Sequence, residues 1–340
     1  MDSKLWEDVN EGDELPGLRF PITVRTLIMA VAGTRDFQPY HHDSVYTKSI
    51  GSRDMFVNTM FEQALFGRFV TDWSGPESDF RATTLQMGVQ VCPGDVLEIE
   101  GKVVKKYEQA GDHAVDIEIV ASNQLGIAAR SSATIAMPSR AAGAVKPKTA
   151  MGKPQVSLHP EMPDFAREML GKVSGKSHGA YPISVAQIMY WCDMVEDGNP
   201  AYAEGDYANN CRHKGIIAPP MGLITYMMGR PGQMPDMNNP DHAPWPPVRT
   251  ADGGGFFTPP GATETIATAS TQEYGVPVRP GDRISSTNEL VNCSPLKRTH
   301  LGLGYFQTNL TTYYNQEDEV VGINLFTLFR YGLKEEATAS

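Results

Sequence analysis

The sequence predicts an α+β protein built from two like halves, each an antiparallel sheet closed around one central helix. Three observations carry this expectation: an internal repeat, a strand meander at the end of each half, and one apolar helical segment inside each. The repeat begins with "DFQP" at Asp36 to Pro39, which is echoed by "DGNP" at Asp197 to Pro200, an offset of 161 residues. A second echo pairs "CPGDVLEIEG" from Cys92 with "RPGDRISSTN" from Arg279. In both, Pro and Gly set a turn and Asp bonds it locally, so the shared PGD is placed to launch a strand.

The elements follow in order. In the first half "MFVNTMFEQALFGRFVTDW", residues 55–73, places Val57, Met60, Phe61, Ala64, Leu65 and Phe69 over most of a helix surface. In the second, "PPMGLITYMMGR", residues 219–230, is apolar almost throughout. Such helices are expected inside protein, since neither contains an uninterrupted apolar run approaching the roughly 18 residues needed to cross a bilayer. After each PGD, strand-like residues alternate around one turn signal, "NQLG" in "HAVDIEIVASNQLGIAARSSATIAM" and "NQED" in "YFQTNLTTYYNQEDEVVGINLFTLFRY". The stretch from Met137 to Gln155, rich in Ala, Gly, Pro and Lys, lacks both periodicities. The expected division is a first domain at 1–138, a linker at 139–158 and a second domain at 159–340.

Composition narrows the function classes. The chain has 340 residues, 41% hydrophobic and 20% charged, an ordinary globular balance. Its formal charge of -11 repels polyphosphate at long range and provides no basic stripe, which argues against nucleic acid as a partner. An anionic ligand would need local donors, such as Lys102, Lys105 and Lys106, or Lys297, Arg298 and His300. Cys92, Cys192, Cys211 and Cys293 lie far apart without metal-ligand spacing, so neither a zinc site nor a disulfide framework is expected. The polar, acidic opening "MDSKLWEDVNEG" has no signal pattern, and no membrane segment is expected. These features point to a cytoplasmic protein with no membrane partner.

The chemistry concentrates in "DFQPYHHD", residues 36–43. Pro39 disfavours helix at Gln38, so the segment turns and Asp36 can face His41 across it. Imidazole, with an ordinary pKa of about 6.5, is a good proton acceptor near neutrality, and a neighbouring carboxylate can orient it or share the base role. A solvated turn with Asp capping the next helix is the competing reading. A metal site is disfavoured, because the adjacent His41 and His42 point apart in an extended segment.

"TRDFQPYHHD" followed by "GSRDMFVNTMF" resembles the MaoC-like enoyl-CoA hydratase family, whose signature is D-x-N-P-x-H-x-D with a Gly then leading into the central helix. Asp36, Pro39, His41 and Asp43 match, while Gln38 replaces the usual Asn. More narrowly, "FVTDWSGPES" and the motif itself are similar to the catalytic subunit of heteromeric steroid side-chain enoyl-CoA hydratases. The second half, with "DGNPAYAEGDYA", "KGIIAPPMG" and "VRPGDRI", resembles their noncatalytic partner and the hydratase-like region of fungal-type fatty-acid synthases. The resemblance implies a double hot-dog fold.

It also implies that Asp36 and His41 activate water for addition across a 2,3-enoyl thioester. The oxyanion donor it implies is the backbone N–H of Thr59, where the family has Gly. Asn58, Gly51, Lys102, Met221 and Tyr226 become candidate substrate-binding residues, the last two lining a tunnel for a bulky acyl group. No cofactor is implied, since coenzyme A is part of the acyl-CoA substrate. Two double units could associate as a homodimer. The offset of 161 places Tyr202 opposite His41, and a phenol with a pKa of about 10 is a poor base, so the second copy is expected to be silent. The competing functions are a hot-dog thioesterase using Asp36 and a noncatalytic acyl-thioester-binding scaffold.

Overall fold

The computed structural model describes residues 2–148, 151–203, 205–229, 257–299 and 301–332. The first half runs β1 (Glu14–Pro21), α1 (Val24–Thr34), α2 (Ser44–Ser49), α3 (Thr59–Ser74), β2 (Asp79–Met87), β3 (Val96–Gln109), β4 (Asp112–Asn123) and β5 (Gly126–Ala136). The second runs α4 (Asp164–Arg167), β6 (Ser177–His178), α5 (Val185–Val195), α6 (Asp206–Asn210) and α7 (Leu223–Met227), then β7 (Glu264–Tyr274), β8 (Ser285–Cys293), β9 (Lys297–Thr299), β10 (Gly302–Tyr314) and β11 (Val320–Tyr331).

All the strands join one antiparallel sheet in the order β1-β3-β4-β5-β2-β7-β11-β10-β8-β6, with β9 on β10. Among the described residues five strands thus come from each half, apart from β9, and the halves meet where β2 pairs with β7, from Ala82 opposite Glu273 to Gln86 opposite Ala269. Within the first group the period-2 pattern turns Leu97, Ile99 and Val103 of β3 and Val115, Ile117 and Ile119 of β4 into the core. There they enclose α3, whose Phe61, Leu65 and Val70 are fully buried. Burying side chains of this size stabilises the fold by roughly 1.5–3 kcal/mol each.

The repeat extends through the helices. α1 begins at Val24 and α5 at Val185, the same 161-residue step, each capped by a hydroxyl: Thr23 accepts from the Thr26 N–H and Ser184 from the Gln187 N–H. Both end on a left-handed residue with φ of 58°, Arg35 and Glu196. These helices pack on each other so closely that a Cβ at Gly33 would lie 2.6 Å from the Tyr190 carbonyl oxygen. Each half therefore has a second packed helix besides the central one, which the expectation of a single helix per half omitted.

Two further expectations change. The second central segment is shorter than 219–230 suggests: a 3-10 turn at Pro220–Gly222 leads into the five-residue α7, and Met228 is already extended. Prolines at 219 and 220 restrict the entry to this segment. The chain after the first meander also has a defined path. Met151 and Val156 cover Val291, Leu310 and Ile323 on the outer face of the second group, and Lys153 pairs with Glu289 at 2.7 Å. Of the insertion at 252–261, residues 252–256 lie outside the described residues, as does His300 of the second basic cluster. Among the described residues no helix is long and apolar enough to cross a membrane.

Candidate active site

After α1 the left-handed Arg35 reverses the chain, and Pro39 starts a 3-10 turn at Pro39–His41. This turn brings His41 back toward Asp36: Nε2 lies 3.4 Å from Asp36 Oδ2, and each side chain keeps only 11–13% of its exposure. The other ring nitrogen, Nδ1, is 2.8 Å from the Phe56 carbonyl oxygen. A carbonyl only accepts, so neutral His41 carries its proton on Nδ1 and presents the Nε2 lone pair on the Asp36 side. Phe56 also packs edge-on against the imidazole, with ring centroids 5.4 Å apart. The remaining Asp36 oxygen faces the Gln38 N–H at 3.4 Å. His42 turns away toward the Phe37 carbonyl, and Asp43 caps α2 by accepting from the Tyr46 N–H. The capping role and the facing pair thus coexist in one segment, on different aspartates.

The same strand-like approach that orients His41 leads into α3. Phe56 donates its N–H to the Tyr40 carbonyl, and Asn58 then caps the helix, its Oδ1 accepting from the Phe61 N–H at 2.8 Å. The Asn58 amide donates to Thr34 Oγ1 at 2.8 Å, and that hydroxyl also faces the Asp36 N–H at 3.3 Å. Asn58 thereby links the helix entry to the acidic residue, a positioning function that its place in the sequence did not reveal. Capping uses the third amide of the helix. No described residue accepts from the Thr59 or Met60 N–H, although both residues are buried. Buried amides left free at a helix N-terminus make a ready site for an oxygen carrying negative charge. The Thr59 side chain is turned to Met87 Sδ at 3.2 Å.

The other sequence candidates lie elsewhere. Gly51, with φ of 86°, occupies an exposed turn after α2 and donates to the Lys48 carbonyl; its place is the end of α2, eight residues before α3. Lys102 is exposed on β3 between the register neighbours Glu14 and Glu118. Lys106 is drawn to the Val9 carbonyl and the Trp6 ring. Met221 and Tyr226 are buried: Met221 sulfur lies 3.0 Å from where Gly67 of α3 would carry a Cβ, and the Tyr226 hydroxyl donates to the Pro219 carbonyl at 2.5 Å.

In the second copy, Asp197 is taken up by the Asn199 N–H and burial pushes its carboxyl up to about 6. Burial likewise drives the Tyr202 phenol well above its ordinary range. Adding 161 to Thr59 gives Pro220, which has no N–H at all. The 161-residue offset makes that absence legible in the sequence, although the sequence reading of the second half rests on Tyr202 alone. A further group it missed is Glu62, one turn into α3. This carboxyl is fully buried with Oε2 unpartnered, and burial pushes it up to about 8.

Comparison with known proteins fits this architecture. Residues 168–323 match the family described as FAS1-like, dehydratase domain region. Over 115 residues the chain is 32% identical to the 3-oxo-4,17-pregnadiene-20-carboxyl-CoA hydratase beta subunit of Mycobacterium tuberculosis, covering 34% of this chain and 86% of that one. Among solved structures, a MaoC-like dehydratase superposes with a TM-score of 0.62 at 13% identity, over 96% of this chain and 99% of its own. A Mycobacterium tuberculosis protein described as a double hotdog fold gives 0.64 at 11% identity, over 97% and 99%. The fold is thus the double hot dog, and with a relative matched over most of its own length the chain belongs to the MaoC-like hydratase family.

Proposed function

We propose that this protein hydrates the 2,3-double bond of an enoyl-CoA carrying a bulky acyl group, such as a steroid side chain, to give the 3-hydroxyacyl-CoA. The observation that carries the reading is the Asp36–His41 pair, largely withdrawn from solvent and set beside a helix whose first amides have no described partner. Water held between the two side chains gives a proton to the His41 Nε2 lone pair or to Asp36, and its oxygen bonds to C3. The π electrons move onto the thioester oxygen, where the Thr59 N–H stabilises the charge. The pair then returns a proton to C2, so one water is added and nothing leaves. Asn58 and Phe56 hold the two parts in register.

The second half contributes no chemistry in this reading. It lacks the imidazole at Tyr202 and the amide at Pro220, and its place is to accommodate the acyl group. The substrate in that relative's name, 3-oxo-4,17-pregnadiene-20-carboxyl-CoA, supports a polycyclic acyl chain. That relative is named as a beta subunit, and association of two double units is part of this reading. The test is absorbance at the enoyl-thioester band with simultaneous thiol detection, on a steroid side-chain enoyl-CoA and on crotonyl-CoA. Loss of absorbance without thiol, greater on the bulky substrate, is expected. Thiol release would indicate a thioesterase, and no change with either substrate would indicate a scaffold.

A further inference from the structure

The inner faces of the two sheet groups differ in chemistry. Around α3 the first group presents aliphatic side chains, Ile99, Val103, Ile117 and Ile119 among them. In the second group the face that receives α7 is fixed by Gly322, where a Cβ would meet Leu223 at 2.6 Å. Side chains two residues apart share a face, as do directly paired residues. From Gly322 that face continues along β11 through Asn324, Phe326 and Leu328, and along β10 through Thr311, Asn309 and Gln307. One row across the sheet is therefore Thr83, Gln272, Asn324, Thr311 and Asn288, all capable of hydrogen bonding.

Much of this polar face is internally satisfied. Gln63 of α3 donates to Ser270 Oγ at 3.0 Å, and Ser270 donates on to Asn324 Oδ1 at 2.8 Å. Thr311 donates to Asn288 Oδ1 at 2.7 Å. At the far end it is not. Gln307 is fully buried with both its Nε2 and Oε1 unpartnered, and two residues on, the buried Asn309 has Nδ2 unpartnered. Above them the α4 segment lays Met162 and Phe165 over Leu290, Cys293 and Tyr305, so the surroundings are apolar. A buried primary amide without partners is costly, and replacement by an aliphatic side chain of similar size would remove the cost. Two such amides on adjacent inward positions of one strand therefore mark a place where a ligand supplies the missing partners.

The spacing suits a ligand whose thioester lies at the Thr59 amide. Gln63 lies four residues beyond Thr59, about 6 Å along α3. From Ser270, which Gln63 touches, Asn309 is two strands further across the sheet by way of Phe326, roughly 10 Å. This is the length of a fused-ring skeleton rather than of a short acyl chain. Resting on the hydratase reading above, we propose that Gln307 and Asn309 select substrates whose acyl group carries an oxygen function, carbonyl or hydroxyl, at the end remote from the thioester. An amide pair can donate to either oxygen, and Gln307 can also accept from a hydroxyl.

The test uses matched ring-bearing CoA thioesters with and without the distal oxygen. Their saturated, unreactive forms are titrated calorimetrically into the wild-type protein, Gln307→Leu and Asn309→Leu, and their enoyl forms are assayed for hydration. Expected is at least tenfold tighter wild-type binding of the oxygenated ligand, with that preference lost in Gln307→Leu and reduced in Asn309→Leu, while the deoxygenated ligand binds each variant no more weakly. Equal binding of the two ligands by the wild type, or an undiminished preference in both folded variants, would overturn the inference; the amides would then serve structural water. Should Gln307→Leu fail to fold, Asn309→Leu and the wild-type preference decide. Absence of hydration with the binding preference intact would instead count against the hydratase reading alone.

Discussion

Thr59 and Pro220 stand at the same step of the two halves, 161 residues apart, each opening its central helical segment. One supplies an amide hydrogen and the other cannot. The natural residue of the second half is therefore the variant that tests the first. Thr59→Pro removes the proposed oxyanion donor at a helix position where proline is tolerated, after an Asn58 already extended at ψ of 164°. Turnover is expected to fall by about 10²- to 10³-fold with the fold retained by circular dichroism. Thr59→Ala, which keeps the amide, should remain close to wild type.

Asp36 and His41 act on one water, so their losses should not add. Each of Asp36→Asn and His41→Ala should cost about 10²- to 10⁴-fold in kcat, and the double variant should be scarcely worse than either. Multiplicative losses in a double-mutant cycle would mean that the two residues serve separate steps.

The second site should resist repair. In a His41→Ala background, Tyr202→His restores an imidazole beside Asp197 but leaves Pro220 without an N–H. No recovery of hydration is expected, and a rate that approached wild type would show that the amide is dispensable.

Glu62 makes stability depend on pH in a defined direction. Burial holds its carboxyl protonated up to about 8, whereas its ordinary value is 4.5. Between these values the native state binds a proton that the unfolded chain has lost, so this group's contribution to stability, complete below 4.5, declines as pH rises toward 8. Glu62→Gln cannot ionise. Denaturant unfolding should find the variant close to wild type at pH 4 and more stable than wild type at pH 8.

How much of this was legible depended on whether the information was local. The offset of 161, the PGD turns and the two meanders are local patterns, and they led to the paired architecture and to Asp36 and His41. The facing geometry of those two followed from Pro39, which dictates a turn by its own ring. Asn58 was legible as a candidate ligand contact near a helix start; its bond to Thr34 depends on how α1 packs beside α3. For Lys102 the sequence offered a possible donor to an anionic ligand, but not its place between Glu14 and Glu118, because these strand neighbours are remote along the chain. Glu62, Gln307 and Asn309 gave no signal at all, since a polar residue in an amphipathic pattern reads as exposed until the tertiary fold covers it. The short α7 was hidden by its apolar composition, which suits a buried helix and a buried turn equally.

The central claim is that His41, with Asp36, performs the hydration. It is tested most directly by kcat/KM of His41→Ala on the bulky enoyl-CoA that the wild type consumes, read as loss of enoyl-thioester absorbance. The account expects a fall of at least about 100-fold in a protein whose unfolding midpoint is little changed. Wild-type-like turnover by the variant would contradict it.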